Sequence, residues 1–251
     1  MAVTRYPIAI EGETASVGTA AELVVALDVL QGQHDRVVLE QLRPHLAEIV
    51  GDPRGLYAVL RVLAPEDQVY LIETLGPRLA GVVQQASALR DILATLAETR
   101  VEERLLETLG PAGLRALIGS AEELAGVLEW VYGDCDDLAL RLLGVEFLKR
   151  LFQSGYELGL ALTALDAARQ RELVELLGWE RIPALVHDRR DLAYLLRALP
   201  GELSRRLLKH FTGEQLWEFV RDERGWRDLY RYLEADEAAY LDELLGADDA
   251  Q

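Results

Sequence analysis

The chain repeats itself about every 34 residues, and few folds are compatible with that period. A leucine-rich helical phrase begins at Leu23, Leu56, Leu89, Leu124, Leu158 and Leu192 and, in aromatic form, at Trp226, with spacings of 33, 33, 35, 34, 34 and 34. A second anchor, usually Leu followed by Gly, falls at Leu42, Leu75, Leu109, Leu143, Leu177, Phe211 and Leu245, spaced 33 once and then 34 five times. Two independent series keeping one period over seven cycles identify a repeat architecture, in which each unit covers the apolar face of its neighbour.

Each cycle carries its own helix breakers. Gly32, Pro65, Gly133 and Pro200 follow the first phrase, and Pro44, Gly76, Gly110, Gly144, Gly178 and Gly213 flank the second anchor. A third break holds Gly51, Gly119, Gly155 or Gly225. Capping boxes are expected at Thr99 with Glu102, Ser120 with Glu123, Ser154 with Glu157, and Thr212 with Gln215, where a hydroxyl and a Glu or Gln three residues on can satisfy free N–H groups reciprocally. Each repeat is therefore expected to hold about three short helices. Helices this short are marginal alone because nucleation is costly. The expected fold is all-α: a solenoid of about seven 34-residue helical repeats over residues 21–251, closed by an acidic C-terminal cap at Asp242, Glu243, Asp248 and Asp249. The hand of the superhelix does not follow from the pattern.

Residues 1–20 fall outside the period. Tyr6-Pro7-Ile8-Ala9-Ile10 reads as a short extended segment, and the region as a mobile or loosely docked tail, with strand pairing as the alternative. No stretch approaches the roughly 18 apolar residues of a membrane span, and no apolar signal core is present at the N-terminus. A single cysteine excludes internal disulfides. The chain is read as cytoplasmic, with no membrane partner.

The unit that opens a helix at Leu109-Gly110-Pro111, runs to Leu117-Ile118, breaks, and resumes from Leu124 to Val131 resembles in length and layout the repeats of transcription-activator-like effectors. The resemblance spans roughly residues 21–246 and implies a superhelical stack of short helices. The loops between helices, such as Gly51-Asp52-Pro53-Arg54-Gly55 and His187-Asp188-Arg189-Arg190-Asp191, carry no Gly-Gly-Lys-Gln, so it implies no base-reading pair here.

Catalytic signatures are absent: the chain holds no phosphate loop, dinucleotide fingerprint, nucleophile elbow or His-Glu-x-x-His. His34, His45, His187 and His210 lie in different repeats without ligand spacing. Asp134, Asp136 and Asp137 read as a helix-start cluster that serves free N–H groups rather than a metal, and Cys135 among them should have a raised thiol pKa. No cofactor, no metal and no catalytic residue is expected.

Charge and aromatic content are uneven along the chain. The net charge is -17, which disfavours phosphate backbones as partners, yet residues 169–231 hold 13 Lys or Arg against 11 Asp or Glu. That stretch also holds seven large aromatics, whereas the first 125 residues hold only Tyr6, Tyr57 and Tyr70. Arg and aromatic side chains are enriched in tight interfaces. Arg189, Arg190, Tyr194, Trp217, Arg221 and Arg224 are the candidate partner-binding residues, the remaining aromatics being assigned to the core. Loops 187–191 and 221–225 lie one period apart and should sit side by side, with Asp188, Asp191, Asp222 and Glu223 able to neutralise the arginines between them. The expected function is a noncatalytic scaffold that binds a protein or peptide. The alternatives are a nucleic-acid-associated repeat protein and an acidic phosphate mimic that captures a basic partner.

Overall fold

A computed structural model of the chain describes residues 4–10, 13–30, 34–96, 98–220, 229–231, 233, 235 and 238–242. Strands β1 (Tyr6–Ile10) and β2 (Glu13–Val17) form an antiparallel hairpin in the register Tyr6 to Val17 and Ile10 to Glu13. Helices follow in groups of two or three. The first group is α1 (Ala20–Leu30), α2 (Asp35–Leu42) and α3 (Leu46–Val50), and the second is α4 (Pro53–Leu60), α5 (Pro65–Leu75), a 3-10 turn at Gly76–Arg78 and α6 (Leu79–Val83). Next come α7 (Ala86–Leu93) and α8 (Thr99–Leu117), then α9 (Ala121–Leu128), α10 (Cys135–Leu143) and α11 (Val145–Leu151). The last two groups are α12 (Gly155–Thr163), α13 (Ala167–Leu177) and α14 (Arg181–Ala184), and α15 (Arg189–Ala198), α16 (Gly201–Leu208) and α17 (Gly213–Val220). Among the described residues, no helix is long and apolar enough to cross a membrane.

The structure is mostly helical, and the expected breaks are where many of its helices end. Gly76, Gly110, Gly144 and Gly178, one after each Leu anchor, have φ of 49°, 59°, 77° and 85°, a left-handed conformation that glycine enters without steric cost. Gly110 kinks α8 into two segments, so this group too contains three. Two breakers start helices instead of ending them: Pro65 is the first residue of α5, and Gly213 the first of α17. The break expected at Gly32 and the Trp226 anchor lie outside the described residues. Reciprocal capping boxes are formed by Ser120 with Glu123, Ser154 with Glu157 and Thr212 with Gln215. The box expected at Thr99 is not: Glu98 occupies the N-cap without a side-chain cap bond, and Glu102 is buried.

The N-terminal segment is docked rather than loose. Ile8 and Val17 are buried, the Tyr6 ring stacks 3.8 Å from His45, and Gln41 of α2 holds both backbone groups of Ala9, at 2.8 and 2.9 Å. The chain divides into two compact units, Met1–Gly119 with Trp130–Leu143, and Ser120–Glu129 with Gly144–Gln251. Residues 21–251, expected as one repeat domain, are thus shared between them, and the division runs between α9 and α10 of one group. In the first unit α1 packs on α4 and α4 on α7, while α2, α5, α8 and α10 pack in succession. In the second, α9 packs on α12 and α12 on α15. The last contact is backbone-close: a Cβ on Gly159 would lie 2.9 Å from the Tyr194 Cβ, and one on Gly155 2.8 Å from the Asp191 carbonyl oxygen, so only glycine fits there.

One polar position recurs inside this apolar packing. Asp35, Gln68, Glu102, Asp136, Gln170 and Ser204 stand 33, then 34 residues apart, each near the start of the second helix of its group, and all but the half-buried Gln170 are buried. The neutral members tie the second helix to the fraying end of the first. The Gln68 amide donates to the Leu60 carbonyl at 2.8 Å, Gln170 to Leu162 and Leu165 at 3.0 Å each, and the Ser204 hydroxyl lies 3.2 Å from the Leu196 and Leu199 carbonyls. Terminal carbonyls of a helix have no intrahelical donor, and burying them unpaired is costly. The acidic members differ. Glu102 accepts the Tyr132 N–H at 3.1 Å and Asp136 the Asp137 N–H at 2.6 Å, whereas Oδ1 of Asp35 is buried without a partner.

Leu93 and Leu196 are buried in α7 and α15. Replacing either with Ala should lower unfolding free energy by about 2–5 kcal/mol, from lost burial and a residual cavity. Urea denaturation of Leu93→Ala within about 0.5 kcal/mol of the parent, the level of a surface change, would contradict this packing.

Candidate binding site

The site is built on α15 and its N-terminal turn. Asp188 caps the helix, its Oδ1 accepting the Asp191 N–H at 3.0 Å. Asp191 is buried and accepts two further backbone N–H groups, from Tyr156 of α12 at 2.8 Å and from His187 at 3.0 Å. His187 in turn places its Nε2 3.1 Å from the Gln153 carbonyl oxygen. The two acids expected to neutralise the arginines therefore serve backbone N–H groups instead, which corrects that expectation.

The arginines are left to aromatic and solvent contacts. The Arg190 guanidinium lies 3.7 Å above the Tyr156 ring and 5.9 Å from that of Tyr194, and the two rings meet edge to face at 4.6 Å. Such cation–π contacts fix a guanidinium without neutralising it. Arg189, Arg190 and Arg197 make no ion pair among the described residues. They line, with Ala193 and Tyr194 of α15 and with Leu229 and Arg231, a concavity of about 490 Å³. Arg189 and Arg190 also border an adjoining concavity of about 580 Å³, walled by Glu218, Phe219 and Val220 of α17.

Of the sequence-predicted residues, Arg189, Arg190 and Tyr194 are brought together. Trp217 is 45% exposed on α17 and lines neither concavity. Arg221 and Arg224 lie outside the described residues. Two residues absent from the expected set belong to it. Tyr156 stands one period before Arg190, and Arg197 shares a helix face with Arg190 and Tyr194, being seven and three residues further along. Elsewhere aromatics serve packing: Phe211 is buried and meets Phe219 edge to face, and Arg206 stacks 4.2 Å over Trp179.

The acidic cluster around Cys135 is structural. Asp137 pairs with Arg141 at 2.9 Å, one turn on. The Cys135 thiol is buried and donates to the Thr99 carbonyl at 3.6 Å, and burial, reinforced by Glu102, Glu103, Asp136 and Asp134, pushes its pKa up to about 11. Such a thiol is a poor nucleophile at neutral pH. No group of three or more His, Cys, Asp or Glu able to hold a metal ion occurs among the described residues. Comparison with protein-family models, curated proteins and solved structures finds no match to this chain.

Burial raises the pKa of Glu102, against a smaller opposing effect of the Tyr132 N–H bond. The folded protein therefore holds this proton more tightly than the unfolded chain does. The resulting stabilisation is full below the unfolded value of about 4.3 and is lost as pH rises through the folded pKa. The difference in urea stability between the parent and Glu102→Gln should accordingly change across that window, the parent losing more as pH rises. A difference that is constant from pH 4 to pH 7 would refute the assignment.

Proposed function

We propose that this chain is a noncatalytic interaction scaffold, an α-solenoid of about seven helical repeats that binds an acidic segment of a protein or peptide in the arginine-lined concavity of α15. The helix starts at Ala20, Pro53, Ala86, Ala121, Gly155 and Arg189, spaced by 33 to 35 residues, support the repeat reading. The observation that carries the binding reading is the set Arg189, Arg190 and Arg197, which converges beside Tyr194 while the neighbouring acids are occupied by backbone N–H groups. In a chain of net charge -17, an unneutralised cationic groove is the place where a carboxylate-bearing ligand meets least repulsion. Arg offers bidentate geometry to carboxylates, and the tyrosine rings supply amphipathic contact area. The raised thiol and a single cysteine agree with a nonenzymatic role in a reducing, cytoplasmic setting.

A fluorescent Glu-rich peptide containing tyrosine should bind the parent with an affinity that falls as salt rises. Arg189→Glu combined with Arg197→Glu should weaken it by more than about tenfold per arginine, since hydrogen bonds to charged groups contribute about 1.5–3 kcal/mol. Stability should stay within about 0.5 kcal/mol, because both side chains reach solvent. Parental affinity in the double variant would overturn the site. Tighter binding of single-stranded DNA of equal charge would favour the nucleic-acid reading instead.

A further inference from the structure

The N-terminal hairpin has two edges, and the protein closes only one. Gln41 bonds both the N–H and the C=O of Ala9, so these groups point away from β2 and Ala9–Thr14 is a non-hydrogen-bonded pair. Pro7, two residues earlier, is in the same phase, and its missing N–H falls on this same outer edge. The outer edge of β1 is thus blocked by a proline and a side-chain amide. By the same alternation, the N–H and C=O groups of Thr14 and Ser16 point out from β2 on the opposite edge. The sheet has only these two strands, and β2, Glu-Thr-Ala-Ser-Val, carries no Lys, Arg, Pro or bulge that would protect that edge.

Beside this edge runs an apolar groove of about 720 Å³. Its walls include Ala15 and Val17 of β2 and, on α1, Ala21, Val25, Ala26 and Val29. Helix α1 buries Leu23 and Leu27 in the core, yet Val25 and Val29 on its other side are 63% and 75% exposed. Glu22 is the only charged residue lining the groove, and Arg5 pairs with it at 2.6 Å.

We propose that this edge and groove are the surface on which a second copy of the chain docks, β2 pairing antiparallel with β2 of the other copy about a two-fold axis at Ala15. That register sets Thr14 opposite Ser16 of the second copy and Ser16 opposite its Thr14. Both are hydrogen-bonded pairs, so four backbone bonds form and a four-stranded sheet closes over the α1 valines. The strand is its own complement, because its two outward residues are symmetric about Ala15. Charge selects the same occupant: two bodies of net charge -17 repel, and here they meet where the one lining carboxylate is already paired.

Sedimentation velocity of the full chain, from low to high micromolar concentration, tests this. The parent should form a dimer that tightens as salt rises, because salt screens the repulsion between the two acidic bodies. An assembly made by the arginine groove gripping acids would weaken instead. Ser16→Pro removes one outward donor per copy and leaves the hairpin ladder intact, so it should weaken the dimer about thirtyfold, the loss of two backbone hydrogen bonds. Val25→Lys with Val29→Lys should give a monomer with unchanged circular dichroism. A parent that is monomeric at every concentration and salt, whether or not it binds an extended peptide, overturns the proposal, as does a dimer that survives both changes.

Discussion

Every helix in this protein is too short to persist by itself, and leucine burial between successive helices is what makes the rest possible. Apart from the kinked α8, none exceeds 11 residues. Residues such as Leu56, Leu60, Leu71 and Leu75 are fully or almost fully buried, and no single three-helix group can cover both faces of its own helices. Short helices create a second demand, since they expose many terminal carbonyls per residue. The polar position shared by Gln68, Gln170 and Ser204 meets it by returning a side-chain donor to the end of the preceding helix. Arginines do similar service elsewhere: Arg115 donates to the Leu143 carbonyl at 2.8 Å, and Arg181 to that of Phe152 at 3.0 Å.

The arginine groove follows from the same economy of termini. Starting α15 directly after α12 in the stack requires Asp188 and Asp191 for backbone N–H groups, including that of Tyr156. Acids one and two residues from Arg189 and Arg190 are thereby withdrawn from charge neutralisation. Gly155 and Gly159 let α15 approach closely enough for Arg190 to reach the Tyr156 ring. The concentration of positive charge on this face is thus a consequence of helix capping and close packing, on which binding can be built.

Much of the fold was legible because leucine and glycine mark it with unchanging letters. The anchors located the helix groups, and the glycines after Leu75, Leu109, Leu143 and Leu177 marked their turns. The recurrent polar position escaped notice because its residue changes from Asp to Gln, Glu, Asp, Gln and Ser while its burial persists. The capping box at Thr99 failed because Glu102 belongs to that series and is buried instead of reaching back to the helix start. The partner of β1 was missed because Glu-Thr-Ala-Ser-Val has too weak an alternation to announce a strand. In the site, Arg189, Arg190 and Tyr194 were visible as an uneven patch of charge and aromatics. Tyr156 was not, since it meets Arg190 from the preceding helix group, and the role of Asp191 depends on a contact that no local spacing reveals.

The central claim is that a donor at the second-helix polar position holds each group together. The most direct measurement is urea stability of Gln68→Glu as a function of pH. A buried carboxylate cannot donate to the Leu60 carbonyl, whereas its protonated form can. The account predicts a variant clearly less stable than the parent at pH 7, with the deficit shrinking as pH falls and the carboxyl gains its proton. A variant that matches the parent at pH 7, or whose deficit is the same at every pH, would contradict it.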